Sequence, residues 1–306
     1  MRIVIAIGGN ALLHHGERAD ATTQLRNVAS AAEQLACVAA RHQLLIVHGN
    51  GPQVGLLAEE SERDPTLERG YPLDTLVAET QGMIGYWLAQ SIGRRLPDTP
   101  VGALITQVVV SAADPAFDRP DKPIGPYYPM EEAERLAGER GWEFTKEEPG
   151  MRRVVPSPRP IRVIELPIIG RLLDDGCVVI AGGGGGAPVT GDRTGVEGVV
   201  DKDLVAALLA EQVEADLLVI LTDVPYVYAH YGTPRERPLV LASPEELEAM
   251  SFAAGSMRPK IDAVCAFARA TGRPATIGAL NELAAVITGA RGTHIREGGE
   301  LGRRQR

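Results

Sequence analysis

Short unbroken apolar runs alternate along this chain with longer stretches in which apolar positions recur every three or four residues. Residues 3–7, 44–47, 103–110, 161–165, 177–181, 217–221 and 275–277 form the short runs. Runs of that length, rich in Val, Ile and Leu, predict strands covered on both faces. Between them, residues 22–40 carry Leu25, Val28, Ala32, Leu35 and Ala39 at helical spacing. Further helices are predicted over 73–96, 202–213 and 260–270, another ends near Asp175, and a last helix and strand close the chain. Such alternation predicts an α/β fold, a three-layer α/β/α sandwich with a mostly parallel central sheet.

The pattern breaks once. From residue 111 to 160 prolines cluster ("ADPAF", "RPDKPIGPYYP", "VVPSPRP") around one charged helix at 131–139. This predicts a small protruding lid, about 116–155, inserted in a first lobe of residues 1–199, with a second lobe over 200–306. In the helix at 73–96, Met83, Ile84, Tyr86, Trp87 and Leu88 make a surface too apolar for full exposure, which burial or a dimer contact would satisfy.

Composition narrows the function classes. Hydrophobic residues make up 44% of 306 and aromatics only 4%, so the core is aliphatic. A formal net charge of −9 argues against a nucleic-acid or anionic-membrane footprint and leaves small anions as partners. Cys37, Cys177 and Cys265 lie far apart in apolar segments and predict buried, reduced thiols. With no basic leader and no apolar run of membrane-spanning length, the expected location is the cytoplasm. Of 31 basic residues only four are lysines: Lys122, Lys146, Lys202 and Lys260. Lysine is a compact point charge where arginine is a planar fork, so lysines kept against such a bias are candidates for chemistry. Lys146, in "TKEEPG", reads as an ordinary surface residue.

Three glycine-rich loops follow predicted strands: "IGGN" at 7–10, "HGNGPQVG" at 48–55 and "AGGGGGAPV" at 181–189. Open α/β sheets bind ligands beyond the carboxyl ends of their strands, so these loops should converge on one backbone-lined anion site. No G-x-x-x-x-G-K-[ST], dinucleotide fingerprint, G-x-S-x-G or H-E-x-x-H is present. His14 and His15 read as exposed loop residues, and His48 as lining the second glycine loop. "VVDKDL" sets Lys202 between Asp201 and Asp203 at a helix entrance, where carboxylates cap N–H groups, orient an ammonium and could hold a Mg2+ shell. "GSMRPKI" puts Lys260 just after Pro259 in a first helical turn, a second source of positive charge for a phosphoryl group.

Taken together and in order, "AIGGNALL", "HGNGPQVG", "PLDTLVAETQGMIGYWL", "TQVVV", "KPIGP", "VVPSP", "GGGGGAPV", "VVDKDL", "LTDVPYVYAHYG" and "GSMRPKI" resemble the carbamate kinases of the amino acid kinase family, over essentially the whole chain. The resemblance implies reversible transfer between ATP and carbamate, giving ADP and carbamoyl phosphate, with Mg2+ and a homodimer. It implies an acceptor site in the first lobe at Gly8, Gly9, Asn10, Gly49, Asn50, Gly51, Gly183 and Gly184. In the second lobe it implies a nucleotide site bordered by Thr222, Asp223, Val224, Tyr226, Met257 and Pro259. Lys202 and Lys260 become the phosphate lysines and Asp203 their organiser. Many amino acid kinases carry a lysine in the first loop, where this chain has Ala6-Ile7-Gly8-Gly9. Lys122, delivered by closure of the lid, is the implied replacement. A kinase for another small carboxylate or phosphonate acceptor, or a non-catalytic nucleotide sensor, fits the residues as an alternative.

Overall fold

Alternate residues of the first strand face opposite layers. In a computed structural model, which describes residues 1–9, 12–14, 16–252 and 257–298, β1 (Arg2–Ile7) sends Ile3, Ile5 and Ile7 into one apolar cluster and Val4 and Ala6 into another. A strand buried on both faces needs apolar residues at every position, which is why the run is unbroken. The central sheet adds β2 (Gln43–His48), β3 (Val101–Ala103), β4 (Val178–Ile180), β5 (Leu217–Thr222), β6 (Leu241–Ala242), β7 (Ala275–Ala279) and β8 (Thr293–Ile295). Its order is β6-β8-β7-β5-β1-β2-β4-β3. All neighbours are parallel except β7 and β8. The four strands from the second part of the chain thus lie together, joined to the first four through β1 and β5, with Ile3 opposite Leu217.

Nine helices are described: α1 (Ala21–Ala39), α2 (Gly51–Arg63), α3 (Leu73–Gly93), α4 (Met130–Arg140), α5 (Leu166–Asp174), α6 (Lys202–Gln212), α7 (Pro244–Glu248), α8 (Met257–Thr271) and α9 (Leu283–Ile287). α1, α3 and α9 cover the Ile3 face through Val28, Leu35, Ile84, Leu88 and Val286. α5, α6 and α8 cover the Val4 face through Leu173, Leu209 and Phe267. The expected three layers are present. Among the described residues no helix is long and apolar enough to cross a membrane.

The proline-rich stretch builds more than one helix. Lys122–Tyr128, Gly150–Val155 and Glu143–Glu147 form a separate antiparallel sheet with Gly150–Val155 in the middle. α4 packs on it around Tyr128, Ala133 and Leu136, with Tyr128 edge-on to Phe144 at 5.6 Å. These strands escape a hydrophobic-run reading because they cover one small helix and read as mixed polar sequence.

Three other expectations change. The run at 103–110 is two strands: β3 joins the central sheet, whereas Gln107–Val109 joins a second small sheet with Ala187–Val189 and Arg162–Val163. The break is held by Gln81, a buried α3 side chain that accepts from Thr106 N at 2.9 Å and donates to Thr106 O at 3.2 Å. Leu25 is exposed, and Gln24 and Asn27 take the buried face of α1, Asn27 donating to Glu17 at 2.6 Å. Cys37 is exposed and Cys177 half-buried, so only Cys265 is a buried thiol. Cys37 stands one helical turn beyond the exposed Glu33, on the outer face of α1.

Candidate active site

Because β1, β2, β4 and β5 run parallel in register, their carboxyl ends open on one edge, and the glycine loops leave from there. Convergence is visible in what a side chain would strike. A Cβ on Gly49 would lie 2.7 Å from Gly9 N and 3.3 Å from the Lys202 side chain. A Cβ on Gly184, which also sits at φ 65°, would lie 2.2 Å from Asn50 Nδ2. First, second and third loops therefore touch each other and α6 with bare backbone, as close approach to a small anion requires.

The second loop is shorter than its sequence suggests, since α2 begins at Gly51 with Pro52 in its first turn. Asn50 occupies the N-cap but does not cap: its Nδ2 donates instead to Thr80 Oγ1 at 2.8 Å. First-turn N–H groups of α2 are left without a side-chain acceptor beside the glycine loops. His48 lines the same loop, as expected. Its Nδ1 lies 3.0 Å from Gly49 O, and burial holds the imidazole at about 4, which keeps it neutral near pH 7. Gly8, Gly9, Gly49, Asn50, Gly51, Gly183 and Gly184 all lie along this edge, while Asn10 and His15 are outside the described residues.

Lysines from three distant segments meet here. Lys202 Nζ lies 2.7 Å from Asp203 Oδ1, and Lys260 Nζ 2.9 Å from Asp203 Oδ2, all three side chains being at most 12% exposed. Lys122, the first residue of the small antiparallel sheet, forms an ion pair with Asp201. Asp201 caps α6, Oδ1 accepting from Asp203 N at 2.8 Å. Burial raises the Asp201 carboxyl, but Lys122 and Lys202 outweigh that and hold it well below the usual carboxylate range. Burial pushes the Lys202 ammonium below its ordinary value; Asp203 opposes this and Lys260 adds to it.

One point differs from the sequence reading. Lys122 needs no further closure to reach the cluster, since it already rests on Asp201. Both aspartates are engaged with ammoniums, and among the described residues no group of three His, Cys, Asp or Glu gathers. Asp201 is the residue sequence reasoning undervalued: a good N-cap explains it fully until Lys122 is seen at its other oxygen. Lys146 is exposed, as expected.

Thr222 and Asp223, at the end of β5, line a cavity of about 420 Å3 with Gly8, Ser30, Gln34 and Asn281. Val224 follows them, and the Tyr226 hydroxyl accepts from Arg291 Nη1 at 3.3 Å. Met257 and Pro259 share the first turn of α8 with Lys260. No hydrogen bond joins Val224, Tyr226 or Met257 to the lysine cluster among the described residues. A larger cavity, about 1100 Å3, opens between the small sheet and α2, but six carboxylates against four guanidiniums line it, which disfavours a phosphate.

Three ammoniums, two carboxylates and converging N–H groups leave a net positive, backbone-lined site suited to anionic oxygens. A profile of the amino acid kinase family matches residues 1–279. The chain belongs to the amino acid kinase family. It is 50% identical to the carbamate kinase of Escherichia coli strain K12, covering 96% of this chain and 98% of that one. Against the carbamate kinase of Haemophilus influenzae strain Rd the identity is 48%, over 96% of each. Among solved structures, this amino acid kinase superposes on carbamate kinase from Giardia lamblia bound to AMP-PNP with a TM-score of 0.88 and 36% identity, covering 96% and 98% of the two chains.

Proposed function

We propose that this chain is a phosphotransferase acting reversibly between ATP and carbamate, with ADP and carbamoyl phosphate as products. The observation that carries this reading is the lysine cluster: Lys122, Lys202 and Lys260 against Asp201 and Asp203, at the meeting point of the glycine loops. The whole-length likeness to carbamate kinases supports the choice of acceptor.

The chemistry asked of the protein is electrostatic. Carbamate is already an anion, so its attacking oxygen needs no general base, and the neutral, buried His48 is not called on. What opposes reaction is repulsion between carbamate and the γ-phosphoryl oxygens. Ammoniums and backbone N–H groups aimed at those oxygens relieve it, in a site where withdrawal from water strengthens each interaction. In this reading Lys202 and Lys260 hold the transferring phosphoryl group and Asp203 orients both. Lys122 supplies the charge missing from Ala6-Ile7-Gly8-Gly9. Residues 1–199 take the acceptor through Gly8, Gly9, Asn10, Gly49, Asn50, Gly51, Gly183 and Gly184. Residues 200–306 take the nucleotide along Thr222, Asp223, Val224, Tyr226, Met257 and Pro259. Mg2+ enters with the nucleotide as part of the substrate, held by its phosphates.

We also infer a homodimer in the cytoplasm. Ile84 and Leu88 face the chain's own core and Met83 and Trp87 are half-buried, but Tyr86 is 60% exposed on α3, which leaves an aromatic for a second copy to cover. Light scattering at micromolar concentration tests this, and a monomer refutes it. The acceptor assignment is tested by comparing carbamate with acetylglutamate and acetate as ATP-dependent acceptors. Turnover confined to carbamate is expected; comparable rates with a bulkier carboxylate would move the reading to another acceptor.

A further inference from the structure

We propose that Asp201 is a positioning residue that fixes Lys122 at the phosphoryl site and so ties the small antiparallel subdomain to the start of α6. The inference rests on the phosphotransfer reading above and concerns a residue to which that reading gives no part of its own. Asp201 is 7% exposed and divides its carboxylate between two tasks. Oδ1 accepts from Asp203 N at 2.8 Å and Leu204 N at 3.4 Å, capping the helix, while Oδ2 pairs with Lys122 Nζ. Capping needs only one oxygen and no charge, since Asn serves as well as Asp at an N-cap. The cap therefore leaves the second oxygen unexplained, and the negative charge gains from the helix only the modest attraction of its N-terminal dipole.

Lys122 supplies what they are for. It opens the strand Lys122–Tyr128, paired with Val155 across the small sheet, and its side chain is 31% exposed. Among the described residues no other carboxylate pairs with it. A four-carbon lysine stem on the rim of a separate subdomain has many rotamers, most of them pointing into water. The Asp201 pair selects one and places that ammonium at the N-cap of α6, whose first two residues are Lys202 and Asp203. Position of the subdomain and charge at the phosphoryl site become one variable.

Asp201→Asn separates the two tasks, keeping the cap and removing the tether, and is studied in the full chain with ADP, carbamoyl phosphate and Mg2+. Its melting temperature should fall, but by less than that of Asp203→Asn, because the cap persists and the part-exposed Lys122 ammonium can turn to water when its partner charge is lost. kcat should fall at least about tenfold while KM for ADP changes less than about twofold, the split expected when only transition-state contacts are lost. In a Lys122→Ala background the same change should cost less than about twofold, because residues acting as a unit are not additive. Asp201→Ser, which also caps the helix without a charge, carries the same test if Asp201→Asn proves unstable. A readout independent of activity comes from 15N-lysine labelling. With four lysines in the chain, the Lys122 ammonium signal is assigned by its loss in Lys122→Ala and should shift or broaden in Asp201→Asn. An unmoved ammonium signal, an unchanged kcat, or independent multiplication of the two losses overturns the tether. Failure of the wild-type protein to form ATP overturns the phosphotransfer reading instead, with the ammonium signal still judging the tether.

Discussion

Asp203 is one carboxylate between two buried ammoniums, and Asp203→Asn is the smallest change that removes its charge while keeping its shape. At 2.7 and 2.9 Å, with an effective dielectric of about 20, each attraction is about 6 kcal/mol before the desolvation it offsets. Loss of one member of a buried pair costs about 3–5 kcal/mol net, because the partner charge stays buried. Asn can accept from only one ammonium and turns N–H toward the other. For a chain of this length that cost corresponds to a fall in Tm of roughly 5–10 °C without ligand. Saturating ADP should then raise Tm more in the variant than in wild type, since phosphate replaces the missing counter-charge. kcat should fall about a hundredfold or more, as when an oriented transition-state donor is lost. The residual activity should also decline at lower alkaline pH than in wild type, because Asp203 is the largest influence raising Lys202 against burial. Calorimetry with and without ADP, together with steady-state rates, covers all of this. Tm and kcat both within error of wild type would refute the claim that Asp203 organises the lysines.

Alanine at Lys202 or Lys260 should lower kcat by roughly two orders of magnitude; since Asp203 keeps one ammonium in either variant, Tm should fall less than in Asp203→Asn. Lys122→Ala should reduce kcat strongly with ADP affinity nearly intact, Lys122→Arg should not fully rescue, and single-turnover measurements would show whether the chemical step is what slows. Burial holds His48 at about 4 against an ordinary 6.5, so below pH 6.5 the unfolded chain binds the proton first and stability declines as pH falls toward 4. That decline is worth up to about 3 kcal/mol. His42 and His294 are shifted in the same direction, so the His48 share is read as the difference between wild type and His48→Gln, and parallel stability curves would contradict it. Gly184→Ala should abolish activity at little cost in secondary structure, since its Cβ would meet Asn50 Nδ2 at 2.2 Å; circular dichroism and rates decide.

The layers and the site were not equally legible in the sequence. Strands buried on both faces announce themselves, because every residue of β1 or β2 must be apolar, and helices with one wet face carry their period. Strands of the small sheet do neither: Glu143–Glu147 reads E-F-T-K-E and is half exposed. The break between β3 and Gln107–Val109 depends on Gln81, a residue some twenty-five positions away that replaces a strand partner for Thr106. Lys202, Lys260 and Asp203 could be read from local setting, two helix entrances in a lysine-poor chain. Lys122 is legible only through the resemblance to carbamate kinases, which implies a lid lysine in place of the charge missing from Ala6-Ile7-Gly8-Gly9. Asp201 could not be separated from a plain N-cap, because its second partner lies 79 residues earlier and only the fold brings them together.

The most direct measurement of the central claim is ATP formation by the purified protein from ADP and carbamoyl phosphate in the presence of Mg2+. The account predicts ATP dependent on both substrates, at a turnover of about 1–100 s−1 as for other kinases, lost on substitution of Lys202 or Lys260. Tight nucleotide binding without any ATP formed would contradict it and make the chain a sensor. Equal rates from a bulkier acyl phosphate would contradict the choice of carbamate.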